Sequence, residues 1–164
     1  MIARITAALI LLLSTPAFAL DYEAMGSVTA TVDGTEMEFC VPYLVEEGDA
    51  HAEITGPVKS MGILSVDGFT CRDGDLYQPR LALSVFRPGP SATGSGLELW
   101  TSDGLYMVEE GNGSLQVTDF KMSGDHVSFA FEATAVAYDR TSYMPKDGAA
   151  PVSVSGQVDV ELRQ

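Results

Sequence analysis

Hydrophobic and polar residues alternate one by one along most of the chain after residue 20. Near the C-terminus, Val152, Val154 and Val158 fall on one face of an extended segment, and Ser153 and Asp159 fall on the other. A period of two residues is typical of antiparallel strands with one buried and one solvated face, whereas helices repeat about every 3.6 residues. The longest run places these residues on a single face: Val127, Phe129, Phe131, Ala133, Ala135 and Ala137.

Turn-forming residue pairs separate the alternating segments. Asp33-Gly34 predicts a tight hairpin, and Asn112-Gly113 predicts another that joins the Leu105 strand to the segment Ser114–Met122. We count about eight or nine strands, at the spacing typical of an all-β antiparallel β-sandwich or barrel. Unequal strand lengths and irregular loops favour the sandwich, and an up-and-down β-barrel is the alternative.

Residues 1–19 have the three parts of an export signal. Arg4 precedes an apolar run from Ala7 to Leu13, and Ala17-Phe18-Ala19 matches the small-x-small pattern of a signal peptidase site. The apolar run is shorter than the roughly 20 residues that a membrane-spanning helix needs, and no later segment approaches that length. We therefore expect a signal peptide over 1–19, a single β domain over 20–164, and a periplasmic or secreted protein.

The chain has two cysteines, Cys40 and Cys71. In an oxidising compartment, an isolated even pair favours a disulfide. Closing a loop of this length restricts the unfolded chain and stabilises the fold by roughly 3.5–4 kcal/mol. Two thiolates without a CxxC spacing do not make a four-ligand metal site, so a structural disulfide is the preferred interpretation.

Acidic residues outnumber basic ones and lie unevenly along the chain. The full chain has 23 Asp and Glu against 9 Lys and Arg, and removing Arg4 with the leader gives a net charge of −15. Residues 20–58 carry nine acids and no Lys or Arg. This balance argues against nucleic-acid binding through a basic surface and against a polybasic membrane anchor. It predicts either a simply solvated acidic surface or one that attracts a basic partner, and the candidate residues are Glu36, Glu38, Glu46, Glu47, Asp49 and Glu53.

Residues with catalytic or metal-binding chemistry are few. The sequence lacks the G-x-S-x-G, H-E-x-x-H and Walker motifs, and its two histidines, His51 and His126, lie in predicted loop or edge positions. Asp67, Asp73 and Asp75 flank the second cysteine and could supply some of the oxygens that calcium needs. Because the EF-hand spacing is absent, an exposed acidic turn is the stronger interpretation. No cofactor is predicted.

The long segment between the last two predicted strands, residues 139–151, is the main candidate for a binding loop. Tyr138 enters it, and Arg140, Tyr143 and Met144 lie within it. Tyr, Arg and Met are enriched in protein–protein contacts. The alternative is a crossover between sheets with partly buried aromatic residues.

These observations favour an exported, non-enzymatic β-protein that binds a partner protein or an envelope component through its loops. One alternative is a carrier of a small apolar ligand inside a barrel, with Phe39, Phe129 and Phe131 lining the cavity. Another is a hydrolase that uses His51 or His126 with nearby carboxylates, since triads form in space rather than in sequence. The sequence makes no prediction of oligomeric state.

Overall fold

The computed structural model describes residues 21–58, 61–88 and 92–163, and these residues form eleven strands and no helix. The predicted signal peptide lies outside the described residues. Within them, no helix is long and apolar enough to cross a membrane. The strands are β1 (Tyr22–Val32), β2 (Thr35–Leu44), β3 (Asp49–Ala50), β4 (Ala52–Val58), β5 (Met61–Arg72), β6 (Asp75–Pro88), β7 (Thr93–Trp100), β8 (Leu105–Val108), β9 (Ser114–Ser123), β10 (His126–Tyr138) and β11 (Val152–Glu161).

Eight of the described strands close into an antiparallel barrel. The order around it is β2-β1-β11-β10-β8-β7-β6-β5, and pairing of Cys40 with Phe69 joins β5 back to β2. Apart from three inserted strands, each barrel strand pairs with the one before and after it in sequence. The all-β antiparallel prediction is therefore confirmed, and its form is the up-and-down barrel, which was the alternative to the sandwich. The unequal strands and irregular loops that favoured a sandwich come from β3, β4 and β9, which interrupt the regular path.

Strands β8 and β9 pair with the same edge of β10, one after the other. Leu105 of β8 pairs with Tyr138, whereas Ser114 of β9 pairs with Thr134 further along β10. Between them, the backbone groups of Glu109 and Asn112 exchange two hydrogen bonds of 3.0 Å in a small excursion of the chain. The predicted Asn112-Gly113 hairpin is therefore wrong, because β8 and β9 run in the same direction and each pairs with β10.

Strands β2 and β4 share an edge of β5 in a similar way. After the Cys40–Phe69 pair, β2 turns away, and Ala52 of β4 pairs with Val66. His51 lies between β2 and β5. Its backbone N–H donates to the Pro42 carbonyl of β2 at 3.1 Å, and its carbonyl accepts from Asp67 N–H of β5 at 2.7 Å. The short β3–β4 segment thus fills the space that opens between β2 and β5.

The barrel interior is one hydrophobic core. Alternate residues of every barrel strand point inward, as the sequence pattern predicts. Phe39, Phe131 and Leu64 are fully or almost fully buried. At one end, the buried guanidinium of Arg87 lies 4.8 Å from the centroid of the Phe120 ring and donates to the Met122 sulfur at 2.8 Å. The described strands form one continuous sheet around this core.

Candidate functional site: the Tyr143 surface

Residues 139–144 form a tightly hydrogen-bonded turn directly after β10. One carboxylate oxygen of Asp139 accepts from the backbone N–H groups of Thr141 and Ser142 at 3.0 and 2.9 Å and from the Ser142 hydroxyl at 3.1 Å. These bonds lower the pKa of Asp139, because they favour its ionised form. The backbone of Asp139 also bonds to Tyr143 N–H and to the Met144 carbonyl, each at 2.9 Å. Hydrogen bonds to both the side chain and the backbone of Asp139 therefore hold the turn.

Arg140 ties this turn to the neighbouring turn between β7 and β8. Its guanidinium donates to the carbonyl of Thr101 and, at 3.3 Å, to that of Gly104. Arg140 is predicted to bind a partner, and in the structure one nitrogen of its exposed guanidinium makes both of these bonds within the protein. Its position makes it a support for the turn.

Tyr138 is buried, in contrast to the expectation that it contacts a partner. It lies fully enclosed beside Leu105, on the outer side of the barrel wall, where the segment after β10 covers both residues. Its hydroxyl donates to the Glu109 carboxylate. Burial, and then the Glu109 carboxylate, raise the pKa of Tyr138 to about 12. Alternation alone predicts an exposed side chain at position 138, whereas the alternative interpretation of this segment, with partly buried aromatic residues, fits the burial of Tyr138.

The exposed part of the turn is formed by Tyr143 and Met144. Their exposed fractions are 52% and 63%, which is high for side chains of this size. The Tyr143 ring contacts the half-buried Trp100 ring at a centroid distance of 6.1 Å and an interplanar angle of 64°. The indole N–H of Trp100 donates to Glu98 at 3.2 Å, which orients the indole. We call Trp100, Tyr143 and Met144 the Tyr143 surface.

The backbone of Tyr143 adopts a left-handed conformation, with φ of 53°. A bulky residue with positive φ is strained, and such strain persists only where the surrounding structure imposes it. Here the Asp139 and Arg140 hydrogen bonds impose it. The result is an aromatic side chain displayed on a rigid turn.

A polar and aromatic cluster adjoins the Tyr143 surface on β5 and β6. Arg80 pairs with Trp100 across β6 and β7, and its guanidinium lies 5.4 Å from the Phe69 ring centroid and 2.9 Å from the Asp67 carboxylate. His51 packs edge-on against Phe69 at 5.0 Å and lies 3.5 Å from Asp67. Burial raises the pKa of Asp67, but the contacts with His51 and Arg80 outweigh this effect and lower it overall.

The three predicted calcium ligands are not brought together. Asp67 is engaged by Arg80 and His51, whereas Asp73 and Asp75 belong to the turn between β5 and β6. Asp75 accepts a hydrogen bond from the Tyr77 hydroxyl at 3.2 Å. Across the described ranges, no group of three or more His, Cys, Asp or Glu side chains is placed to hold a metal ion.

Each histidine lies beside a carboxylate on the outer wall. Besides the His51–Asp67 contact, His126 lies 3.0 Å from Asp159 in an exposed pair, and this hydrogen bond raises the pKa of His126. In the part of the chain that the structure describes, neither imidazole has a hydrogen bond to a serine or threonine hydroxyl. The contacts do not assemble the nucleophile and base of a hydrolase triad.

The predicted disulfide between Cys40 and Cys71 is confirmed, with Cα atoms 6.0 Å apart. It lies at the point where β2 and β5 pair to close the barrel. The bond therefore joins the two strands across the seam of the wall.

The predicted acidic residues are all exposed and lie at the β2–β3–β4 side of the barrel. Glu36 and Glu38 are on the outer face of β2, and the others follow in the β2–β3 turn, β3 and β4. Glu46, Glu47, Asp49 and Glu53 make up this second group.

The sequence predicts Tyr143 and Met144 as contact residues, and the structure shows both exposed, but the sequence did not point to Trp100 beside them. The composition of the loop was the signal for the first two residues. The contact with Trp100 depends on how the loop folds back over β7 and β8, which residue patterns do not encode.

Comparison of the chain with protein-family models, curated proteins and solved structures finds no match.

Proposed function

We propose that this chain is an exported, non-enzymatic binding protein that docks a partner protein through the Tyr143 surface. The partner belongs to the compartment outside the cytoplasm. The disulfide at the barrel seam is consistent with this location, since disulfides persist in oxidising compartments. The proposal requires no bound cofactor.

The observation that carries the proposal is the pairing of exposure with rigidity at Tyr143 and Met144. Binding hot spots are enriched in aromatic residues that lose little conformational entropy when a partner docks. The Asp139 hydrogen bonds already order this turn, so docking would not have to order it. The backbone strain at Tyr143 also favours a functional role over a purely structural one.

The two alternatives receive less support from the geometry. A carrier would place its ligand in the barrel interior, but Phe39, Phe129 and Phe131 are packed into the common core. A hydrolase would need a hydroxyl nucleophile at one of the imidazoles, and the contacts of His51 and His126 are with carboxylates. Binding at the outer wall fits the structure better than either.

Site-specific photo-crosslinking tests the proposal in native envelope preparations. We expect a photoreactive residue at position 143 to capture one defined protein, and Met144→Ala to reduce that capture by roughly tenfold, as for a central contact residue. The matched control is position 77, because Tyr77 is exposed to a similar degree, at 46%, and lies elsewhere on the molecule, in β6. The same products from positions 143 and 77, or no product from 143, would contradict the proposal.

A further inference from the structure

A polar cleft lies on the outer wall of the barrel, away from the Tyr143 surface. It crosses β2, β1, β11, β10 and β9, is open to solvent, and has a volume of about 740 Å³. Ligand sites commonly fall between roughly 300 and 1,000 Å³. The outward side chains that line it are mainly hydroxyl, amide and carboxylate groups.

Two cross-strand rows of side chains form the walls of this cleft. One row runs from Glu38 through Thr29 and Gln157 to Ala130 and Thr118. The other row contains Glu36, Thr31, Ser155 and Glu132, two residues further along each strand. The rows define a lane that runs across the strands rather than along them.

The floor of the lane is backbone, centred on Gly156. A Cβ at this position would lie 2.1 Å from the Thr29 carbonyl oxygen and 2.9 Å from a ring carbon of Phe131. The neighbouring strands therefore approach more closely here than a side chain would permit. Position 156 faces the core, like Val154 and Val158, so glycine there lets the floor of the lane lie close to Phe131.

The charge and hydrogen-bonding groups of the lane have a defined order. Carboxylates stand at the β2 end, with Glu36 and Glu38, and at the β10 end, with Glu132. Hydroxyl and amide groups of Thr29, Ser155 and other lining residues lie between them. Among the described residues, no Lys or Arg lines the cleft. A ligand with a neutral hydrogen-bonding middle and a cation at each end matches this order.

The spacing of the strands gives the length of that ligand. Strands β2 and β10 are separated by β1 and β11, so the path along the wall from one strand to the other is about 14 Å at about 4.8 Å per strand. An extended peptide advances about 3.3 Å per residue, so two side chains four residues apart are separated by about 13 Å. We propose that the cleft binds an extended basic peptide segment that carries two Lys or Arg side chains four residues apart.

An NMR titration of the isotope-labelled full-length mature protein tests this proposal. The probe is a capped peptide Lys-Ser-Gly-Ser-Lys, and the comparison peptide, Lys-Lys-Ser-Gly-Ser, has the same composition with adjacent lysines. We expect shifts confined to amides such as those of Thr31, Ser155 and Gln157, with several-fold tighter binding of the spaced peptide. Equal dissociation constants for the two peptides would overturn the proposal, because they would indicate attraction to charge without recognition of spacing.

Three variants distinguish peptide binding in the cleft from general attraction to the acidic surface and from binding at the Tyr143 surface. Glu132→Gln should weaken binding of the spaced peptide about threefold to fivefold, the upper part of the range for an exposed ion pair. Glu46→Gln makes the same charge change outside the cleft and should alter binding less than about twofold. Tyr143→Ala should leave peptide binding unchanged, so the outcome does not depend on the proposed docking function. Equal losses from Glu132→Gln and Glu46→Gln would exclude the cleft, as would binding of spermine there without binding of the spaced peptide.

Discussion

At the scale of single residues, Tyr143 shows how a fold can hold a side chain in an unfavourable backbone conformation. Left-handed φ values cost roughly 1–2 kcal/mol for residues with a Cβ, and glycine avoids most of that cost. The turn around Asp139 imposes the conformation. A tyrosine at this position therefore exposes an aromatic ring but lowers the stability of the fold.

This conflict predicts an order of stability among variants at position 143. We expect Tyr143→Gly to be more stable than Tyr143→Ala by about 1 kcal/mol, since both remove the ring but only glycine relieves the backbone. Urea unfolding of the two variants measures this difference in stability. The same pair at position 77 is the control, because Tyr77 is not among the residues with positive φ and glycine in a strand is less favourable than alanine there. An alanine variant at 143 as stable as the glycine variant would show that the turn is not strained.

At the scale of strands, the sequence predicts which segments form strands better than it predicts which strands pair with each other. Alternation identified most barrel strands, because inward positions such as Val127 and Phe129 must be apolar. It could not identify that β8 and β9 share an edge of β10, since pairing is made by backbone groups common to all residues. Alternation also predicts Tyr138 at the surface, because position 138 falls on the outer face of β10, and the segment that follows β10 buries it. The candidate binding turn was found from composition, whereas its support by Arg140 depends on tertiary folding.

The stability of the barrel should depend on the seam between β2 and β5. Direct pairing there is limited to Cys40 with Phe69 among the described residues, and the disulfide lies beside it. We expect the double variant Cys40→Ser, Cys71→Ser to lose roughly 3.5–4 kcal/mol of unfolding free energy, because the unfolded chain regains the entropy of a long loop. Denaturant unfolding measures this loss, with Ser95→Ala in β7 as a control for an exposed hydroxyl. A loss below about 1 kcal/mol would mean that the seam holds without its covalent link.

At the scale of the whole molecule, negative charge is spread over a barrel whose interior is apolar. The full chain has a net charge of −14, and residues 20–58 contribute nine acids and no Lys or Arg. Charges of one sign on a compact body repel each other and destabilise it, while they attract cations from a distance. The same charge distribution therefore favours capture of a basic ligand in the cleft and opposes the stability of the fold.

Salt should separate these two consequences of the charge. Raising sodium chloride from about 20 mM to about 500 mM shortens the Debye length several-fold, so repulsion among exposed carboxylates weakens and the midpoint of thermal unfolding should rise by about 2–5 °C. Binding of the spaced peptide should weaken over the same range, because its ion pairs are exposed. The double variant Glu46→Gln, Glu47→Gln carries less charge outside the cleft and should show a smaller rise in the midpoint, with a similar loss of peptide binding. A midpoint that is independent of salt would mean that the exposed acids are already too well solvated to repel one another. In that case the acidic surface would serve solubility rather than the attraction of a basic partner.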